Sequence, residues 1–360
     1  MTTQDRALAD SSPAISERDP EGEPVGSAGF PPPLFEKAEA EERIAPTYFT
    51  KTPSGIEIRY FAKNKDLKIK RHYETLHPEH GWVIYPSVTD TLKVLAKDAL
   101  TWWGQRVGVE GTLKLVEKGI LRAQKLPNGQ LSLVVPAKLS DGTAGLMVAG
   151  EEQVTELLKQ FDLTVDKVRD LAGDRGQSAH DALELFCKDG VIPDPGFYPP
   201  DEQPYIIGLR NFILDAEPET IGSEVMVSSN EHGFSGRYDW RIKISSPKKI
   251  VKHATPVKGA QYAMLPKGII LPDLKTSKDA FDGHCEQLEA YERASVECGW
   301  DPTDARAVLV VGPETQGKYA LGERNYKLVK SWATFDDYRA TLSKWQQNQH
   351  LHKRFLRRND

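Results

Sequence analysis

Asp273 and Lys275 stand two residues apart in Leu271-Pro272-Asp273-Leu274-Lys275-Thr276, directly after the apolar run Gly268-Ile269-Ile270-Leu271. Residues i and i+2 of a β-strand share a face, so this carboxylate and ammonium would lie side by side with Leu274 turned away. Such a pair is either a simple ion pair or half of a metal-assisted hydrolytic site. Other groups could complete one. In the alternating run 233–244 the even positions are apolar, aromatic or glycine, and the odd positions from 235 are Ser235, Arg237, Asp239, Arg241 and Lys243. Asp239 is the lone acid on that face. His180 lies on the shoulder of the stripe Ala179, Ala182, Leu183 and Phe186, whose spacing is helical. Gln287 and Tyr291 share a helix face at i, i+4.

The chemistry open to these groups is hydrolysis with a hard cation. Mg²⁺ takes a few oxygen ligands and keeps waters. Asp239 and Asp273 offer carboxylates, and the backbone carbonyl of Leu274 lies between Asp273 and Lys275. A bound cation lowers the pKa of its water, and two ions about 3.5–4 Å apart can clamp the attacking and leaving oxygens of a phosphodiester. Lys275 is suited to orient the water and to stabilise charge that develops in the transition state.

Composition sets the frame. The 360 residues are 28% charged and 39% hydrophobic, as in a soluble globular protein of one large domain or two ordinary ones. No run approaches the ~18 apolar residues of a membrane span, and the N-terminus lacks the basic and apolar regions of a signal peptide. These features predict a cytoplasmic protein, in a bacterial or host cytosol. Cys187, Cys285 and Cys298 form no C-x-x-C pair, which speaks against a zinc or iron–sulfur centre built on cysteine. The net charge of −5 conceals an asymmetry: residues 1–45 hold ten acids and four bases, hence −6, leaving +1 for the rest. That balance does not oppose a polyanionic partner.

The elements that must position these groups can be read in order. Residues 1–45, rich in Pro, Glu, Ser, Gly and Ala, read as a disordered acidic arm. A single domain over 46–360 follows, with strands expected at 56–61 and 81–85. Ser87 is an N-cap for a helix running towards Trp102 and Trp103, which are expected in the core. A hairpin inserted near 124–150, with strands at 130–135 and 145–148, carries no assignable chemistry. A helix over 153–171 should end at Gly173 and Gly176, and a new one should run from Gln177 to Cys187. A helix over 205–215 and strands at 223–227 and 233–244 lead to a lysine-rich insert, 245–268, without a single acid. Its Lys248, Lys249 and Lys252 would form a positive flap beside the acids, suited to a phosphate backbone. Beyond 268–275 come a helix over 279–299, strands at 307–311 and 326–329, and a helix over 335–351. The basic end Lys353-Arg354-Phe355-Leu356-Arg357-Arg358 also points to nucleic acid.

Set together, Gly176-x-x-x-His180, Gly236-x-x-Asp239, Asp273-x-Lys275-Thr276 and Gln287-x-x-x-Tyr291 resemble, in order and in element type, the RecB-like branch of the PD-(D/E)xK nuclease superfamily. That group includes phage exonucleases and CRISPR-associated RecB-like nucleases. Pro86-Ser87-Val88-Thr89 is similar to the N-terminal part of such proteins, and the resemblance spans roughly 85–311. It implies a restriction-endonuclease-like α/β core, a mixed central sheet flanked by helices, and catalysis by Asp239, Asp273 and Lys275. It implies metal binding by His180, Asp239, Asp273 and the Leu274 carbonyl, with Mg²⁺ as the cofactor and Mn²⁺ able to replace it. Gln287, Tyr291 and Thr276 would touch DNA or help to place the lysine. Glu224, at a strand position where relatives often have an acid, would be a further carboxylate at the metal or behind its ligands.

The implied activity is Mg²⁺-dependent DNA exonuclease action in phage or bacterial recombination, repair or degradation, and the partner it implies is a recombination protein such as a single-strand annealing protein. An endonuclease on the same core and a catalytically silent DNA-binding protein are the rival readings. Three departures from the family stand out. The gap from Asp239 to Asp273 is long, the cysteine ligands of an iron–sulfur cluster are missing, so no cluster is expected, and the 124–150 hairpin has no counterpart.

Overall fold

The computed structural model describes residues 36–37, 45–64, 66, 69–138, 143–250, 264–313 and 324–356, with no side-chain description for 36–37, 96–100 and 350–356. Five strands come first: β1 (Glu36–Lys37), β2 (Tyr48–Lys51), β3 (Glu57–Phe61), β4 (His72–His77) and β5 (Gly81–Tyr85). They pair antiparallel in the order β1-β5-β4-β3-β2. Two of them, β2 and β4, escape sequence reading because YFTK and HYETLH mix polar and apolar residues without a clean period. The expected arm lies outside the described residues apart from Glu36–Lys37 and Ala45. Glu36 and Lys37 pair with Ile84 and Val83, so these two residues of the arm form a strand rather than a disordered chain.

Helices α1 (Val88–Thr91) and α2 (Lys93–Glu117) follow, the first capped by the Ser87 hydroxyl, which accepts from the Asp90 N–H at 3.1 Å. The core placement expected for the tryptophans fails at Trp102, which is 62% exposed. The inserted segment is a three-stranded antiparallel sheet rather than a hairpin: β6 (Arg122–Lys125), β7 (Leu131–Lys138) and β8 (Ala144–Val148). Next come α3 (Glu151–Gln160) and α4 (Val165–Asp189).

The break between α3 and α4 is not at the glycines. Gly173 and Gly176 both lie inside α4. The chain turns at Phe161–Thr164, where Asp162 has φ +57° and Thr164 caps α4 by accepting from the Lys167 N–H at 3.3 Å. A helical glycine costs only about 1 kcal/mol against alanine, which the buried stripe Ala179, Ala182 and Leu183 readily offsets: burying one leucine contributes ~1.5–3 kcal/mol.

A second sheet forms the centre. Its strands β9 (Glu219–Ser229), β10 (Phe234–Ile244), β13 (Gly268–Lys275), β14 (Ala305–Val311) and β15 (Tyr326–Lys330) are ordered β15-β14-β13-β10-β9. The β13–β14 pair is parallel and the others antiparallel, so the sheet is mixed. The short strands β11 (Lys248–Lys249) and β12 (Met264–Leu265) pair with each other between β10 and β13. Helix α5 (Gln203–Ala216) joins α4 over one face, where Leu209, Phe212 and Leu183 pack with Ile270, Leu274 and Leu309. Helices α6 (Asp282–Glu297) and α7 (Phe335–Leu356) cover the other, where Leu288, Tyr291 and Tyr338 pack with Leu271, Val308 and Val310. The first sheet joins this second cluster through Ile58 and Tyr73. The protein is thus a mixed α/β structure whose helices flank a mixed central sheet.

The alternation of β10 is broken. Phe234 and Tyr238 belong to the cluster under α6, whereas Trp240, Ile242 and Ile244 belong to the cluster under α4 and α5. The change falls opposite Glu224 on β9, whose φ of +53° interrupts the ladder between the pairs Tyr238↔Val225 and Trp240↔Ser223.

Candidate functional site

Strands β10 and β13 are paired only at Ile242–Ile244 with Gly268–Ile270. Continuing that register by three residues sets Asp239 across from Asp273. No ladder pair forms there; instead the Leu274 N–H reaches over to Asp239 Oδ2 at 3.3 Å. The two acids converge at a fork between strands. The long insert does not prevent this, because it leaves the sheet after Ile244 and returns at Gly268, which are paired. Loop length enters closure only logarithmically.

Asp273 and Lys275 share a face as their spacing predicts, with Lys275 Nζ 2.6 Å from Asp273 Oδ2. Asp273 is 2% exposed, and neither of its carboxylate oxygens has a partner of hydrogen-bonding geometry. Burial pushes its carboxyl up to about 6; Lys275 opposes the rise and Asp239 adds to it. Burial alone would depress the Lys275 ammonium, but Asp273 and Asp239 outweigh it and hold the group above its ordinary value.

Across the fork stands a second cluster. One ligand atom from each of His180, Glu224 and Asp239 can be chosen so that all lie within 4.8 Å of one another. His180 Nδ1 is 3.7 Å from Asp239 Oδ1. It is fixed there because Ala179, Ala182 and Leu183 seat α4 on the sheet. The left-handed backbone at Glu224, a conformation costing a non-glycine residue about 1–3 kcal/mol, accompanies the turn of its carboxylate into this cluster. Burial raises the Glu224 carboxyl, and Arg237, 2.7 Å away, works against that rise.

The sequence-predicted residues divide accordingly. His180, Asp239, Asp273, Lys275 and Glu224 come together, with Glu224 a direct member of the cluster. Leu274 is buried, and its recorded contact with the site is its N–H. Gln287 and Tyr291 are both buried, and the Gln287 amide donates to the Tyr291 hydroxyl at 3.0 Å. Both line the cavity and form its floor. Gly236 explains itself against them: a Cβ there would lie 2.5 Å from Tyr291 Cε1. Thr276 meets α4 at Gly176, where a Cβ would stand 3.5 Å from its Oγ1.

The lysine flap is also corrected. Lys248 and Lys249 follow the Ile244 end of β10, five residues or ~17 Å of strand from Asp239. Lys248 pairs with Glu217 at the end of α5. These two lysines therefore lie away from the acids; Lys252 lies outside the described residues.

The fork opens into a cavity of about 770 Å³. Arg71, Arg237, Gln177 and Asp181 line it, as do Tyr48, Phe49 and Tyr73 of the first sheet, none of which sequence reading singled out for the site. No motif marks them, because the first sheet meets the fork only in three dimensions.

The residues present fit a divalent cation. Two carboxylates and an imidazole supply a mixed oxygen and nitrogen set that suits Mn²⁺ as well as Mg²⁺. Asp273 Oδ2 already faces the Lys275 ammonium, and its buried Oδ1, with no partner, keeps acceptor capacity for a second cation. Another such group among the described residues, Glu231, His232 and Glu297, already has the Arg293 guanidinium against both of its acids, at 2.7 and 3.4 Å. No protein-family model matches this chain, and no curated protein is significantly similar to it.

Proposed function

We propose that this chain is a metal-dependent deoxyribonuclease with a restriction-endonuclease-like core, working in a bacterial or phage-infected cytosol on DNA ends that arise in recombination, repair or degradation. The observation that carries this reading is the fork itself. A carboxylate with unbonded buried oxygens and its neighbouring lysine face a cluster of His180, Glu224 and Asp239. Glu224, Asp239 and His180 would hold Mg²⁺ or Mn²⁺, with Asp273 beside them, and the ion when bound supplies a water of lowered pKa and positive charge next to the phosphate.

The chain's own groups do the remaining work. Lys275 keeps its proton at Nζ, because Asp273 and Asp239 stabilise the ammonium, and so meets negative charge building on the phosphate oxygens. The Leu274 N–H holds the Asp239 carboxylate in one orientation. The Gln287–Tyr291 pair closes the floor beneath the reacting group, and the half-open cavity has room for a strand end.

The test is degradation of linear and closed circular DNA with Mg²⁺. An end-dependent enzyme degrades the linear form and leaves circles intact, and cutting of circles would assign endonuclease action. Asp273→Ala and Lys275→Ala should abolish degradation while folding is retained. Full activity in either would overturn the assignment.

A further inference from the structure

The cavity has a wall that the hydrolytic groups do not use. Tyr48, Phe49, Arg71 and Tyr73 line it from the first sheet, opposite the fork. Tyr48 and Phe49 are each 54% exposed on the edge strand β2, where consecutive positions turn their rings to opposite faces and the Tyr48 ring is on the face of Tyr60 and Tyr73. Across the sheet the rings form a series: Tyr48 stacks on Tyr60 with centroids 6.0 Å apart, and Tyr60 meets Tyr73 at 5.0 Å. The Arg237 guanidinium lies over Tyr48 and Tyr60 at 5.9 and 5.6 Å, tying the series to the strand that carries Asp239. Arg71 is half exposed beside the same cavity, with Thr89 Oγ1 at 3.4 Å and the Asp90 carboxylate at 3.9 Å.

Charge and size together say what this wall fits. Asp181, Glu184, Glu224 and Asp239 line the cavity against Arg71, Arg237 and Lys275, so side-chain charge gives a polyanion no net attraction. Flat aromatic faces attract a base irrespective of backbone charge, and they do so only once the base is unpaired and unstacked from its own duplex. A cavity of about 770 Å³ has the volume of a pocket for a drug-sized molecule. It accommodates a nucleotide or two of one strand, not a duplex.

We propose that the edge of the first sheet is a single-strand guide: an unpaired DNA end passes round the edge strand, its bases stacking on Phe49 on one face and on Tyr48 on the cavity face, Arg71 takes a phosphate, and the strand is led to the fork. The substrate class is thus a single-stranded end or an end frayed from a duplex. This inference rests on the deoxyribonuclease reading for its substrate, but it can be tested without hydrolysis.

The experiment measures anisotropy of a fluorescent deoxyoligonucleotide and of a blunt duplex of equal length, in Ca²⁺, for the full chain. Single-strand binding should exceed duplex binding. Phe49→Ala and Tyr48→Ala should each weaken single-strand binding by about tenfold, the scale of one base–aromatic stack, with little change for the blunt duplex. Tyr48→Phe keeps a ring and should bind like the unsubstituted chain. Phe49→Ala serves as the independent variant, because Tyr48 also supports Arg237. Equal binding of single strand and duplex, or single-strand binding insensitive to both alanine substitutions, overturns the guide. Ring-dependent binding without Mg²⁺-dependent hydrolysis leaves the guide standing and removes the nuclease reading. Hydrolysis with ring-independent binding does the reverse.

Discussion

Two buried aspartate–lysine pairs have their acids within and just beyond the end of β13, and they are built for different ends. In both, the ammonium lies 2.6 Å from a carboxylate oxygen and both partners are largely removed from water. Asp279 is hydrogen-bonded twice through one oxygen: Lys327 donates to its Oδ1 at 2.6 Å, and the Ala280 N–H donates to the same atom at 2.9 Å. It sits where the chain leaves β13 for α6, so this pair fastens the β15 edge of the sheet to that junction. Asp273 has the ion pair and no hydrogen bond to either oxygen, and burial raises its carboxyl. A buried polar group left unbonded costs about 1–3 kcal/mol. A satisfied pair is a fastener, whereas an unsatisfied one keeps its acceptor capacity for something that arrives later.

The contrast can be broken most severely at the unsatisfied pair. Asp273→Asn should reduce hydrolysis to background, and Lys275→Met should cost at least about 10²–10³-fold in kcat. Chemical denaturation should show a smaller loss of stability for Asp273→Asn than for Asp279→Ala, since the burial cost of the Asp273 charge offsets part of the pairing lost to Lys275. Chelation with EDTA should match the Asp273→Asn result, and calorimetry should find Mn²⁺ binding that Asp239→Asn removes.

The fastener should respond in the opposite sense. Removing one partner of a buried pair strands the other, so Asp279→Ala or Lys327→Met should lower stability by about 3–5 kcal/mol, read from the urea midpoint, while kcat per folded molecule holds. A smaller effect is expected at Gly236→Ala. The added methyl meets the Tyr291 ring at 2.5 Å, which should cost ~1–3 kcal/mol and lower activity by shifting the cavity floor.

The last effect is on pH. Burial, assisted by the Lys275 charge, pushes His284 down to about 3. Its folded value lies below its unfolded one, so the unfolded chain binds the extra proton between about 6.5 and 3. His284 therefore contributes stability that is present above that window and lost as pH falls through it. Thermal unfolding of His284→Gln should show a weaker decline on acidification. Lys275→Met should move the decline slightly, because it removes the lesser cause, and Lys327→Met should leave it in place.

Much of this was legible in the residues alone. The i, i+2 spacing of Asp273 and Lys275 put them on one face because a strand has a period of two. The stripe through Ala179, Ala182 and Leu183 seated His180 because a helix has a period of 3.6. The apolar runs marked β13 and β14. Where sequence reading failed, a nonlocal contact decided. Gly173 and Gly176 do not end α4, because its buried stripe outweighs their propensity. Glu224 joins His180 and Asp239 through a left-handed backbone residue that interrupts the pairing of β9 and β10. Lys248 and Lys249 lie away from the acids because the insert springs from the opposite end of β10.

The sequence by itself determined which groups could do chemistry and on which elements they ride, since local periodicity is written in residue type. Only the tertiary structure decided which oxygens stay unbonded and which sheet walls the cavity. Both depend on what packs against Asp273 and the fork, and those neighbours come from strands and helices far away along the chain.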